Sequence, residues 1–349
     1  MAKKEERHHS LYRAYRPTDW DEVRGQPQVT DTLQKALKNN KIAHAYLFCG
    51  GRGTGKTSVA RIFAKALRVT DKDMYEIDAA SQTGVEHIRE LREAINVMPF
   101  ESPYRFYIID EAHMLSRNAW NAFLKTLEEP PAHAMFVLAT TERDKVPDTI
   151  QSRCEVYTFK QPTREVLARI VVDVAKKEGY ALDRPAAELV ALLAEGSFRD
   201  ALGILQKVLA VSTGAKVDAK AVEEVSGAPR AEVLRRLLAC LAKKDTVGAL
   251  RAVAVAVEEN MDARTLAKLL IHRMRAVLLL RYAPDIAKEL SAELTEADLA
   301  LAQELSKEPT VNSDMLRALL EAYERTAYAA VPHLPLELAI VEMSTAKES

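Results

Sequence analysis

The chain has 349 residues, enough for two or three domains that each bury a core. Its 49 Lys/Arg and 50 Asp/Glu leave a net charge of −1, so bulk electrostatics do not mark a nucleic-acid binder, although residues 1–68 are basic with 14 Lys/Arg against 6 Asp/Glu. Cys49, Cys154 and Cys240 lie far apart without metal-ligand spacing, which argues against a zinc site and a disulfide framework. With no leader pattern and no long apolar run, the expected setting is the cytoplasm, with no membrane partner.

In chain order, Ala45-Tyr-Leu-Phe-Cys49 reads as a short buried strand that feeds Gly50-Gly-Arg-Gly-Thr-Gly-Lys-Thr57. That octapeptide fits G-x-x-x-x-G-K-[ST], a phosphate cradle. Its glycines let the backbone curl so that N–H groups point at phosphate oxygens, and a helix predicted over about 56–67 presents its positive end to the same anion. Gly50, Gly51, Arg52, Gly53, Thr54, Gly55, Lys56, Thr57 and Ser58 are therefore candidate nucleotide contacts. Lys56 is expected to reach the β- and γ-phosphates and the Thr57 hydroxyl to ligate Mg²⁺.

Met74–Asp78 reads as a second strand, followed by a helix over about residues 85–97. Arg105-Phe-Tyr-Ile-Ile-Asp110-Glu111 is a central apolar strand that delivers two carboxylates at its C-terminal end, where ligands of open α/β sheets sit. Asp110 is expected to hold the Mg²⁺ shell and Glu111 to orient and activate the attacking water. A helix over residues 120–128 stops at Pro130-Pro131, a buried strand follows over 134–141, and a fifth short strand over 156–159. Strands alternating with helices predict a parallel sheet with helices on both faces, binding Mg-ATP.

After Gln161-Pro162 the pattern predicts helix almost throughout, with no further strand. A small helical unit spans about 162–226, and long helices run from Gly227 to the end. Leu234, Leu237, Leu238 and Leu241 keep i, i+3, i+4, i+7 spacing, and Leu266, Leu269, Leu270 and Arg273 continue it. Such stripes form either an internal core or an oligomerisation collar. Arg153, in Ser152-Arg-Cys154, and Arg199, which opens the helix of Gly196-Ser-Phe-Arg-Asp-Ala-Leu202, are each ordinary surface residues when taken alone.

Tyr15-Arg-Pro17, Gly25-Gln26, the phosphate loop, Glu76-Ile-Asp-Ala-Ala-Ser81, Asp110-Glu-Ala-His-Met-Leu-Ser116, Asn121 through Pro131, Leu138-Ala-Thr-Thr141, Ser152-Arg-Cys154 and Gly196 through Leu202 occur in that order. With this set the chain resembles the gamma/tau family of bacterial DNA polymerase III clamp-loader subunits, which are AAA+ ATPases. The resemblance implies an AAA+ P-loop domain over residues 1–161, a helical lid over 162–226 and a helical collar over 227–349. It implies assembly of copies of this chain with delta and delta-prime subunits into an open spiral that opens a sliding clamp and loads it on primer-template DNA. It makes Arg153 the finger acting on the next subunit's ATP, Thr141 the sensor-1 residue and Arg199 sensor 2, with Arg16, Pro17 and Val23 along the adenine.

The sequence departs from this family where four cysteines are usual. Leu67 runs to Met74 with none, so no zinc is expected. Arg24 replaces the usual apolar residue before Gly25-Gln26, and the sequence ends at the collar, so it is expected to behave like the family's short form unless it is a piece of a longer chain. Candidate DNA contacts are the helix start after residues 81–84, with Arg89, Arg92, Arg117 and Lys125; the alternative is a solvated charged face. Met98-Pro-Phe100 reads as an exposed apolar tip that touches the clamp or as a satellite of the core. Two other readings stand beside the loader: a helicase-type translocase, suggested by the Asp-Glu-Ala-His letters, and a non-hydrolysing scaffold.

Overall fold

The computed structural model describes residues 10–81, 94–212, 214–227, 230–259, 261–283, 285, 294 and 296–345. The predicted helix over 85–97, with Arg89 and Arg92, lies mostly outside them. The chain forms two compact units, one of residues 1–170 with 194–203 and one of 171–193 with 204–349.

The first unit is built on a five-stranded parallel sheet in the order β2-β3-β4-β1-β5. Its strands are β1 (Ala45–Cys49), β2 (Met74–Asp78), β3 (Arg105–Asp110), β4 (Ala134–Thr140) and β5 (Glu155–Thr158). Every residue of β1 and β4 is buried, as their unbroken apolar runs require of strands covered on both faces. One face packs Leu33, Phe48, Phe63 and Phe106 together, and the other packs Trp120, Phe123, Phe136 and Leu138. Tyr107 stacks on Phe136 at 5.5 Å between centroids, and Phe123 meets Phe136 edge-on at 5.2 Å. Such pairs contribute about 0.5–1.5 kcal/mol each beyond their burial.

The helices of this part of the chain, among the described residues, are α1 (Leu11–Ala14), α2 (Pro27–Lys38), α3 (Lys56–Ala66), α4 (Arg117–Glu128) and α5 (Asp148–Gln151). α4 begins three residues before the predicted start. The Ser116 hydroxyl accepts the Ala119 N–H at 3.2 Å and stabilises an extra turn that apolar spacing does not signal. Arg117 and Lys125 are exposed on this helix.

At the opposite end of the sheet, where β2 starts, Asp73 is wholly buried and accepts N–H bonds from Phe100, Glu101 and Ser102. Burial pushes its carboxyl up, but the N–H groups of Glu101 and Phe100 and the contacts with Ser102 outweigh that and hold it at about 2. The loop so fixed carries Met98 and Phe100 with 69% and 77% of their surface in solvent, so the tip is not a satellite of the core. Lys72 sits 4.9 Å from the Phe100 ring and bridges to Glu101.

Among the described residues the remaining helices are α6 (Arg164–Lys177), α7 (Arg184–Leu193), α8 (Phe198–Val211), α9 (Ala219–Ser226), α10 (Ala231–Ala242), α11 (Thr246–Glu258), α12 (Ala263–Tyr282), α13 (Glu296–Leu305), α14 (Ser313–Thr326) and α15 (Leu334–Thr345). The expectation of no further strand is corrected. Ala181–Leu182 (β6) pairs in parallel with Lys216–Val217 (β7), a ladder too short to leave a period-2 signal.

In the second unit the predicted leucine stripes are core: Leu234, Leu237, Leu238, Leu241, Leu266, Leu269 and Leu270 are all buried together. Arg273 continues the stripe in a different way. It bonds Asp298 at 2.6 Å, and Arg235 meets the other oxygen of the same carboxylate at 3.3 Å. Asp245, Asp262 and Asn312 cap α11, α12 and α14 through their side chains. α15 is apolar on both sides, with Leu336 and Ile340 buried and Leu334, Leu338 and Val341 exposed. Among the described residues no helix is long and apolar enough to cross a membrane.

Candidate active site

The phosphate loop leaves the buried end of β1 and turns into α3. Gly50 has φ +154°, and a Cβ there would fall 2.5 Å from the Phe159 carbonyl oxygen. Gly53 has φ +68°, and a Cβ would fall 2.1 Å from Ser197 Oγ. Glycine is required at both positions, by backbone angle and by space. Thr54 is buried and its hydroxyl donates to Gly51 O at 2.9 Å. Arg52 points to solvent, and Gly51, Gly55 and Ser58 are partly exposed.

Lys56 is 6% exposed and donates to Gly50 O at 2.7 Å and Gly51 O at 2.8 Å, so the loop closes around its own lysine. Burial lowers its pKa, opposed by Glu111 and Asp110. The Thr57 hydroxyl donates to Asp110 Oδ2 at 2.8 Å. Parallel pairing β1–β4–β3 carries the loop and Asp110 to the same edge of the sheet, two strands apart.

Asp110 Oδ1 accepts the N–H of Glu111 at 3.0 Å. Glu111 is left-handed, with φ +47° and ψ +43°, a conformation that costs a non-glycine residue on the order of 1 kcal/mol. The sharp turn carries its carboxylate to the end of β4, where the Thr141 hydroxyl donates to Oε2 at 3.1 Å.

Residues outside the motif complete the frame. Gln26, 1% exposed, donates to Thr54 O at 3.3 Å and Lys160 O at 2.7 Å and accepts from Lys160 N at 3.1 Å. It ties the phosphate loop to the end of β5. Phe198 N donates to Gly53 O at 2.9 Å, which brings the start of α8 against the loop. There the Arg199 guanidinium lies 5.2 Å from the Tyr12 ring.

Arg16 is half-buried, and its charge is disfavoured by burial, then by Arg61 and Arg199. Arg199 also disfavours the charge of Lys56. Glu76 and Asp110 favour the charge of Arg16 in turn. Val23 packs on the core beneath α3, and Pro17 is partly exposed.

Arg153 stands apart from this group. Its guanidinium donates to Thr149 O at 2.7 Å and to Glu128 Oε1 at 2.8 Å, and its side chain is 35% exposed. The structure thus brings together Lys56, Thr57, Asp110, Glu111, Thr141, Arg16 and Arg199, and leaves Arg153 at the surface. Sequence reasoning quoted Ser197, Thr140 and His113 inside motifs without giving them a role, and missed Tyr12 and Glu142. Gln26 and Phe198, also quoted only in passing, bond the loop.

The donor set fits a nucleotide's phosphates with a divalent cation. Gly55, the N-cap of α3, offers no side chain to satisfy the first-turn N–H groups. Lys56 supplies a buried cation, and Thr57 with Asp110 supplies two hard oxygen donors. Among the described residues no cluster of three or more His, Cys, Asp or Glu forms a metal site of its own.

The family profile described as DNA polymerase III, delta subunit, matches residues 25–82 and 68–163. The chain is 34% identical over 359 residues to the DNA polymerase III subunit tau of Bacillus subtilis, covering 96% of this chain and 63% of that protein. It is 34% identical over 259 residues to the DNA polymerase III subunit gamma of Buchnera aphidicola, covering 68% of this chain and 70% of that one. It is 31% identical over 392 residues to the gamma/tau subunit of Mycoplasma pneumoniae, with 97% and 55% covered. The chain thus spans between half and two-thirds of the length of several relatives. In fold it is similar to the RuvB Holliday junction branch migration motor of Thermotoga maritima, with a TM-score of 0.52 at 21% identity over 65% of this chain and 79% of that one.

Proposed function

The chain belongs to the gamma/tau family of DNA polymerase III subunits, and from that premise we propose that it is an ATPase subunit of the replication clamp loader. Its work would be to bind and hydrolyse ATP so that a sliding clamp opens and is loaded on primed DNA. The observation that carries this reading is the Thr57–Asp110 hydrogen bond, set beside a Glu111 carboxylate that Thr141 holds in place.

The proposed roles follow from the chemistry of each group. The loop from Gly50 to Ser58 wraps the phosphates, Lys56 faces the β- and γ-oxygens, and Thr57 with Asp110 holds Mg²⁺. A bound Mg²⁺ supplies charge neutralisation on the phosphate oxygens. Glu111 takes a proton from the attacking water, and Thr141 keeps its carboxylate aimed. Arg199 approaches the phosphates from α8, while Arg16, Pro17 and Val23 border the base.

Arg153 acts in trans, on the nucleotide of the next subunit. Its exposure and its weak surface pairing with Glu128 support this, because such a pair contributes about 0–1 kcal/mol and is readily exchanged. A head-to-tail arrangement of copies of this chain with delta and delta-prime suits an arginine supplied that way.

In the same reading residues 1–161 form the ATPase domain, 162–226 the lid and 227–349 the collar, and the protein works in the cytoplasm. The exposed Leu334, Leu338 and Val341 of α15 support a collar that packs on its neighbours. The exposed Met98 and Phe100 support a clamp contact. Exposed Arg117 and Lys125 support phosphate contacts to primer-template DNA.

The test is Glu111→Gln, measured for ATP binding and for turnover. Retained binding with turnover reduced on the order of a hundredfold or more is expected for loss of a general base. Unchanged turnover would refute the role of Glu111.

A further inference from the structure

Glu111 Oε2 has a second neighbour besides Thr141. His113 Nδ1 lies 3.5 Å from it, from the short turn that follows β3. The His113 side chain is 6% exposed, a titratable ring buried at the site with no role assigned so far. Its Nδ1 is 3.1 Å from Thr140 Oγ1, and its Nε2 is 3.2 Å from Glu142 Oε1. Thr140 Oγ1 in turn accepts the Glu142 N–H at 3.0 Å. Lys145 pairs with the other Glu142 oxygen at 2.9 Å.

Nε2 faces the Glu142 carboxylate, and Nδ1 shares a hydrogen bond with the Thr140 hydroxyl whose direction follows the ring's tautomer. The ring is thereby held at both nitrogens against the end of β4, with Nδ1 beside the same Glu111 oxygen, Oε2, that Thr141 bonds. We propose that His113 is a positioning residue for Glu111: the imidazole, fixed by Thr140 and Glu142, confines the carboxylate to the setting in which Thr141 bonds it. This rests on Glu111 serving hydrolysis, as proposed above.

Removing the ring leaves Glu111 free to swing into the vacated space, and Thr140 and Glu142 lose a partner. The phosphate loop contacts of Lys56 and Thr57 are untouched, so the effect falls on kcat. Misplacement of a catalytic group by about an ångström costs on the order of a hundredfold, and partial freedom about tenfold.

The experiment measures ATP turnover and nucleotide affinity of the full chain reconstituted with its partner subunits. Wild type is compared with His113→Ala, His113→Asn, Glu111→Gln and the double variant His113→Ala/Glu111→Gln. Asn sets an amide oxygen near the Nδ1 position for the Thr140 hydroxyl, although it does not reach Glu142. The expected result has three parts. His113→Ala loses about tenfold in kcat with ATP affinity within about twofold, His113→Asn recovers most of that loss, and the alanine has no further effect in the Glu111→Gln background.

A kcat unchanged in His113→Ala would overturn the proposal. So would an alanine effect that persists undiminished on top of Glu111→Gln, or one that asparagine does not relieve, since each leaves the ring acting by another route. No turnover by wild type would instead refute the ATPase reading itself, a result distinct from all of these.

Discussion

Thr57 donates its hydroxyl hydrogen to Asp110 Oδ2 at 2.8 Å across 53 residues of sequence. One end of that bond sits on the first turn of α3 and the other on the last residue of β3. The parallel order β3-β4-β1 makes them neighbours, and Lys56 folds onto the loop beside them. Lys56→Ala removes the buried cation and both of its bonds to loop carbonyls. Nucleotide affinity is expected to fall about ten- to a hundredfold, the scale of losing one charge-assisted hydrogen bond of roughly 1.5–3 kcal/mol. Equilibrium titration with a fluorescent ATP analogue measures it, and affinity within twofold of wild type would exclude the lysine from the phosphates.

Gly53 makes a prediction about stability. An alanine there takes φ +68° and drives its Cβ into Ser197 Oγ, so Gly53→Ala is expected to lower stability by about 1–3 kcal/mol. Adding Ser197→Ala removes the hydroxyl and the worst of the clash while leaving the residue-197 Cβ 3.0 Å away and the backbone strain. The double variant should therefore unfold at a midpoint between Gly53→Ala and the Ser197→Ala single variant. Denaturant titration of all three shows whether space or backbone angle dominates.

Much of this arrangement is legible in the sequence, and for physical reasons. The unbroken apolar runs of β1, β3 and β4 are long enough to be read as buried strands, and the glycine spacing of the loop encodes a local backbone shape. Asp110 and Glu111 follow directly from the strand they end. Gln26 and Phe198 are different, because each bonds the loop from another part of the chain, and no spacing rule carries that information. His113 stands in a tetrapeptide whose letters suggested a helicase, while the ring itself turns inward between two carboxylates. The β6–β7 pair escaped because two residues cannot show alternation, and the start of α4 escaped because a serine cap, not an apolar face, sets it.

Arg153 separates binding from turnover. Arg153→Ala loses a bond to Thr149 O and a partly exposed pair with Glu128, so the variant should unfold within about 2 kcal/mol of wild type and bind ATP normally. In the reconstituted assembly its turnover is expected to drop on the order of a thousandfold, the scale of an arginine finger. Turnover at the wild-type rate would remove the trans role.

Asp73 governs the acid limb of stability. Its folded pKa of about 2 lies below the ordinary value of about 3.9, so the unfolded chain binds the proton more tightly. The stabilisation is therefore fully present above about pH 4 and is lost as pH falls through about 2. Urea midpoints of wild type and Asp73→Asn measured between pH 2 and 5 should converge at the acid end and separate toward pH 5. Curves that stay parallel across this window would mean that the three N–H bonds to residues 100–102 do not hold the carboxylate charged.

The most direct measurement is ATP turnover by this chain reconstituted with delta, delta-prime and the clamp, at fixed salt, with no DNA, blunt duplex or primed template. Turnover stimulated only when both the clamp and a primer junction are present is the predicted result. Turnover indifferent to the clamp, or absent altogether, would contradict the clamp-loader account.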